Sequence, residues 1–101
     1  MEIYCTARFL AKDGCKDDLI NALALLVPDT KKESGCIRYE LMEEIIYEGN
    51  NNETWHLCLI EHWKTREDFD AHCKMSYIKN FFDVTAKMYV EKIDVRLYHQ
   101  I

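Results

Sequence analysis

Four stretches of this chain alternate apolar and polar side chains, and two further stretches repeat their apolar residues at three- and four-residue spacing. A strand repeats every two residues and a helix every 3.6, so the pattern alone orders the chain as strand, helix, strand, strand, helix, strand. Residues 2–11 set Ile3, Cys5, Ala7 and Phe9 against Tyr4, Thr6 and Arg8. Lys12-Asp13-Gly14 breaks that strand. Asp13 is placed to cap the helix that follows, and Asp17 and Asp18 suit the positive end of its dipole. Leu19, Ala22, Leu23, Leu26 and Val27 form its apolar face. Pro28 has no N–H and is expected to bend or interrupt this helix, and Ser34-Gly35 to end it with a left-handed glycine.

The second strand is expected over residues 36–46, with Ile37, Tyr39 and Leu41 on one face, and a polar loop over 47–53. The third, over 54–64, sets Trp55, Leu57, Leu59, Glu61 and Trp63 against His56, Cys58, Ile60 and His62. Thr65 and Asp68 form a box that starts a second helix, with Phe69, His72, Ile78, Phe81, Phe82 and Met88 as inward candidates and a break near Ser76. The last strand, over 89–99, puts Ile93, Val95 and Leu97 on one face. The expected fold is α+β and ferredoxin-like, β-α-β-β-α-β, a single domain over residues 1–101 with two helices on one face of a four-stranded antiparallel sheet. The other face mixes Cys36, Met42, Cys58, Ile60 and Tyr98 with Arg38, Glu40, Asp94 and Arg96. Such a surface suits a partner sheet better than bulk water, so a two-fold homodimer is expected.

A net charge of −5 with scattered basic residues argues against a nucleic-acid partner, and no apolar run reaches the length of a membrane span. The strand pattern begins within two residues of Met1, so no signal peptide is expected and the cytoplasm is the expected location. Five cysteines, an odd number without CxxC spacing, read as neither a disulfide framework nor a zinc site. His56, Cys58 and His62 share a strand face, but six residues of strand span roughly 20 Å, so one metal reaches at most two of them. With no Gly-rich dinucleotide loop either, no cofactor is expected.

Several segments, in order, carry a resemblance. They are Lys12-Asp13-Gly14, then Ser34-Gly35-Cys36-Ile37-Arg38-Tyr39-Glu40, then Ile60-Glu61-His62-Trp63, then Phe69-Asp70-Ala71-His72. The chain resembles the antibiotic biosynthesis monooxygenase family over nearly its full length. The resemblance implies a homodimeric α–β barrel with a pocket between each subunit's sheet and helices. It also implies an oxygenase that needs no metal, flavin or haem. Quinol-oxidising members and autoinducer-processing isomerases carry a second histidine five residues after the position of His72, where this chain has Tyr77. Polyketide-oxidising members place an asparagine and a tyrosine where this chain has Leu59 and Phe69, so their site chemistry does not transfer. The residues of haem-degrading relatives are also missing, with Ala7 or Arg8 and Phe82 at two of their positions.

His72 is the expected catalytic base, because imidazole titrates near neutrality and can take a proton from a phenol or an enolisable ketone. Its alternative role is a buried histidine bonded to a carbonyl. Trp63, Tyr39 and Phe69 are candidate walls of a planar-substrate pocket, or plain core. Glu61 shares the Trp63 face and is a candidate substrate-binding carboxylate of raised pKa, though pairing with a structural partner such as Arg8 or Arg38 is the expected arrangement. Tyr77 is a candidate phenol donor to a substrate oxygen. The expected function is cofactor-independent oxidation of a small quinol-like or enolisable molecule. The alternatives are an isomerase using the same base and a non-catalytic ligand-binding dimer.

Overall fold

The computed structural model describes all 101 residues. The elements run β1 (Ile3–Ala11), α1 (Lys16–Lys31), β2 (Cys36–Glu43), β3 (Leu57–Trp63), α2 (Arg66–Cys73), α3 (Ser76–Asn80), a π-helical turn (Phe81–Thr85), α4 (Ala86–Tyr89) and β4 (Val90–Tyr98). The strands form one antiparallel sheet in the order β2-β3-β1-β4, and the fold is ferredoxin-like, α+β. β1 buries Ile3, Cys5, Ala7, Phe9 and Ala11, every second residue, under the helical layer. α1 answers with Leu19, Leu23, Leu26 and Thr30, one helical face at three- and four-residue spacing. No helix is long and apolar enough to cross a membrane, and all five cysteines are free.

Several local expectations are corrected. Asp13 does not cap α1. The chain turns at Lys12–Cys15, where the Cys15 N–H donates to the Lys12 carbonyl, and Cys15 occupies the cap position without a side-chain bond. Pro28 does not interrupt α1, which runs unbroken to Lys31. The proline and Ala24, whose carbonyl loses its N–H partner, both lie on the exposed side, where solvent can satisfy that carbonyl. Gly35 is not the helix cap either, since α1 ends at Lys32 in ordinary helical geometry. Gly35 has φ +88° and lies so close to Asp68 that any Cβ there would fall 2.2 Å from the Asp68 carboxyl carbon. The Gly35 carbonyl also accepts from the Lys64 N–H at 2.9 Å, so the turn before β2 is clamped onto the start of α2.

β2 carries an extra residue between Cys36, opposite Trp63, and Arg38, opposite His62. The bulge puts Cys36 against the core and leaves Ile37 exposed, the reverse of the expected assignment. β2 stops at Glu43 and β3 starts at Leu57, so residues 44–56 form a longer connection than the alternation suggested. Trp55, expected on the buried face of β3, instead stacks on the Arg8 guanidinium, 4.7 Å from its ring centroid. Thr65 caps α2 as its position suggested, accepting from the Asp68 N–H, and the helix breaks before Ser76. Beyond that break Ile78 and Phe81 are buried, whereas Phe82 and Met88 are substantially exposed.

The helices lie over β2, β3 and β1, leaving edge strand β4 largely uncovered. Ile93, Val95 and Leu97 do share a face, but they are 40, 48 and 36% exposed. The opposite sheet face, with Tyr4 stacked on His62 and Arg8 paired with Asp94, carries no second layer. The molecule is a slab, 35 × 33 × 18 Å.

Candidate functional site

A cavity of about 110 Å³ lies between the sheet and the helices. The alternation of β1 and β3 sends Cys5, Ala7, Phe9, Leu59 and Glu61 into it, β2 adds Tyr39, and α2 adds Phe69 and His72. Thirteen of its fifteen lining residues are hydrophobic, and the other two are Glu61 and His72. Its partly exposed members, Phe82, Val95 and Cys73, mark its mouth. In so apolar a setting each polar group acts with more force than it would in water.

His72 lies three residues after Phe69 on α2, its ring 4.7 Å from that of Trp63 and 5.4 Å from that of Tyr39. Its Nδ1 is 3.0 and 3.2 Å from the two carboxylate oxygens of Glu33, and the Tyr77 hydroxyl donates to the same carboxylate. Both the His72 and Glu33 side chains are buried, at 5 and 6% exposure. Desolvation pulls the imidazole below its ordinary pKa, against the opposing pull of Glu33. In the tautomer whose Nδ1–H is given to Glu33, Nε2 is the basic nitrogen.

Glu33 escapes sequence reasoning because it follows Lys31 and Lys32 after a helix, where charges ordinarily face water. What buries it is tertiary: the Gly35 turn docks on α2 and carries Glu33 against His72. The one local signal is the close-packed Ser34-Gly35 turn that immediately follows it.

Glu61 does not find the expected arginine. Arg8 bonds Asp94 at 2.6 Å and Arg38 pairs with Glu40, both on the opposite sheet face. Period-two geometry forbids the expected pairing, since Arg8 stands opposite Cys58 and Arg38 opposite His62, the neighbours of outward-facing Ile60. Instead the Trp63 Nε1–H donates to Glu61 at 2.9 Å. Burial pushes the Glu61 carboxyl up to about 7, held back by its bonds from Trp63 and Cys5.

Of the six residues singled out in the sequence, Tyr39, Glu61, Phe69 and His72 line one cavity. Trp63 is fully buried behind that wall, where it supports His72 and Glu61 rather than facing a ligand. Tyr77 lies outside the cavity, with its hydroxyl on Glu33. His56 accepts from the Ala11 N–H and His62 pairs with Glu2, and no three His, Cys, Asp or Glu side chains converge on a metal-sized site.

The family model for antibiotic biosynthesis monooxygenase matches residues 2–84. A protein of known structure from Shewanella oneidensis is 38% identical, with a TM-score of 0.86 over 98% of this chain and 90% of that one. A conserved protein from Methanosarcina mazei is 22% identical, with a TM-score of 0.84 over 100% of this chain and 94% of that one. A dimeric protein of unknown function with a ferredoxin-like fold, from Bacteroides fragilis, is 14% identical, with a TM-score of 0.77 over 98% of this chain and 96% of that one. Among curated proteins no sequence matches. The family model covers residues 2–84 and the structural likeness 98% of the chain, which belongs to the antibiotic biosynthesis monooxygenase family.

Proposed function

We propose that this protein oxidises a small quinol-like or enolisable molecule with dioxygen, needing no metal, flavin or haem, and that His72 is the general base. One observation carries the reading: an almost wholly apolar cavity presents an imidazole whose Nδ1 is held by a buried carboxylate. Nε2 takes the substrate's O–H or α-C–H proton, and the phenolate or enolate formed is electron-rich enough to pass one electron to triplet oxygen. Substrate radical and superoxide combine into a carbon–oxygen bond. The hydroperoxide then loses water to leave a carbonyl, one oxygen atom in product and one in water. Exclusion of water protects the anion and the peroxide, and Glu61, near neutrality in its proton affinity, can supply the proton that water formation needs. The volume is near the ~150 Å³ of apolar cavities that hold a benzene-sized ring, so one-ring substrates fit better than polyketides.

Glu61 and His72 in one cavity also favour a second reading, tautomerisation without oxygen. A panel of one-ring phenols and cyclic ketones, followed at an oxygen electrode and by product analysis, separates them. Oxygen uptake matching product is the expected result. Conversion without uptake assigns an isomerase, and binding without conversion assigns a ligand carrier.

The functional unit in this proposal is a homodimer. The chain exposes 6776 Å², about 800 Å² more than the roughly 6,000 Å² of a typical monomer of its 12.0 kDa mass. That excess is near one partner's share of a standard interface. The mixed outer sheet face is the surface for a second copy to cover, and the Bacteroides fragilis neighbour is described as dimeric. Sedimentation at micromolar concentration is expected to give twice the 12.0 kDa of one chain, and a clean monomer sinks the idea.

A further inference from the structure

We infer that Glu33 and Tyr77 form a proton outlet for His72, carrying a proton taken inside the cavity to a groove on the far side of the helical layer. The inference rests on the proposed role of His72 as base. While substrate fills the mouth of the cavity, a proton taken by His72 needs another route out, and Glu61, which gives its proton to the peroxide, is recharged from water through the mouth once product has left. Of the other ionisable side chains on the cavity wall, Glu61 is bonded inward to Trp63, the Tyr39 phenol and Cys5 thiol are buried, and Cys73 lies at the mouth that substrate fills.

The hydrogen-bonded chain supplies the missing path. His72 lines the cavity, its Nδ1 meets the buried Glu33 carboxylate at 3.0 Å, and the Tyr77 hydroxyl meets the same carboxylate oxygen. Tyr77 in turn lines an open groove between α1 and the α3–α4 segment, beside Asp18 and Asp29. Three side chains thus connect an interior cavity with a solvent-facing groove of acidic character, which favours an emerging proton. Thr30, on the buried face of α1, has a fully buried hydroxyl without a hydrogen-bond partner; burial raises the proton affinity of both Tyr39 and Tyr77, and the nearby Thr30 hydroxyl offsets part of that rise. It is a second acceptor within reach of the Tyr77 hydroxyl when that group turns from Glu33.

The transfer balances. The substrate's O–H or C–H bond breaks as the Nε2–H bond forms, and the imidazolium then passes its Nδ1 proton to Glu33. Once the Tyr77 hydroxyl has rotated, its oxygen accepts the Glu33 proton as its own proton passes to water in the groove. The new phenol proton already points at Glu33, and the resting arrangement is restored. No oxidant or reductant enters these steps.

The test follows the His72 Nδ1–H by nitrogen-15 NMR and measures its exchange with water, with and without plain phenol as the cavity probe. Wild-type exchange should keep its rate when phenol fills the cavity. Tyr77→Phe keeps the ring and its packing, and should slow exchange by roughly 10²-fold, the lower end of what a positioned proton carrier contributes. Glu33→Gln still accepts from both donors but passes no proton, and it should slow exchange equally, which covers a failure of the first variant to fold. Unchanged or faster exchange overturns the outlet, because a loosened structure exposes Nδ1 rather than protecting it. Should phenol leave the His72 signals unmoved, the reading of the cavity as a phenol site fails, while the ligand-free rates still decide the outlet.

Discussion

Replacing His72 with Asn is expected to lower turnover by about 10²–10⁴-fold with KM little changed, the loss associated with removing a general base. Asn is the informative choice because of Glu33. The amide N–H of Asn takes up the role of Nδ1–H toward the buried carboxylate, while nothing in the amide is basic enough to replace Nε2. His72→Phe removes the base as well and fills the ring's place among Trp63, Tyr39 and Phe69. It also strips Glu33 of one donor and leaves Tyr77 as its partner, so this variant should unfold more readily by roughly 1–3 kcal/mol. Steady-state kinetics on the substrate found by oxygen uptake, with urea unfolding of each variant, separate the two effects. An Asn variant that turns over at the parent rate makes His72 a packing residue and returns the cavity to a binding role.

The reason His72 was legible in the sequence while Glu33 was not is physical. His72 sits at helical spacing from Phe69, so the periodicity that defines the buried face of α2 also places the imidazole. Glu33 belongs to no periodic stretch. Its burial depends on the left-handed Gly35 turn packing on Asp68, a contact between segments more than thirty residues apart. The same limit explains Glu61: alternation correctly put it on the inner face, but no one-dimensional pattern says that the nearest donor there is Trp63, two residues along the same strand. The apolar alternation of β4 is legible in the sequence, but its exposure is not, because strand order decides which strand lies at an edge. Pro28 shows the opposite error, a rule about helix interiors applied to the final turn of an exposed face, where the lost bond costs little.

Replacing Glu61 with Gln is expected to change how stability depends on pH, by about 3 kcal/mol at its largest. The carboxyl's ordinary value is 4.5 and burial raises it to about 7, so the folded protein holds a proton that the unfolded chain releases across that window. Stability from this group is therefore complete below pH 4.5, falls as pH rises to about 7, and is constant above, each pH unit in the window costing close to 1.4 kcal/mol. His72 acts in the opposite sense. Its value is depressed, so the unfolded chain binds the extra proton and stability rises as pH climbs toward 6.5. That contribution is common to parent and variant and cancels in their difference. The other titratable groups around Glu61, the Cys5 thiol and the Tyr39 phenol, are both raised by burial and stay protonated throughout. The amide oxygen of Gln still accepts from the Trp63 Nε1–H, so packing and that bond survive the change. Urea unfolding at fixed protein concentration, from pH 4 to 8, should show the two proteins alike at the acid end. The Gln variant should become the more stable of the two through pH 5 and 6, with the gap levelling off above 7. Parallel curves across that range would mean that Glu61 titrates as an ordinary carboxylate, and it could then no longer be the group that carries a proton to the peroxide at neutral pH.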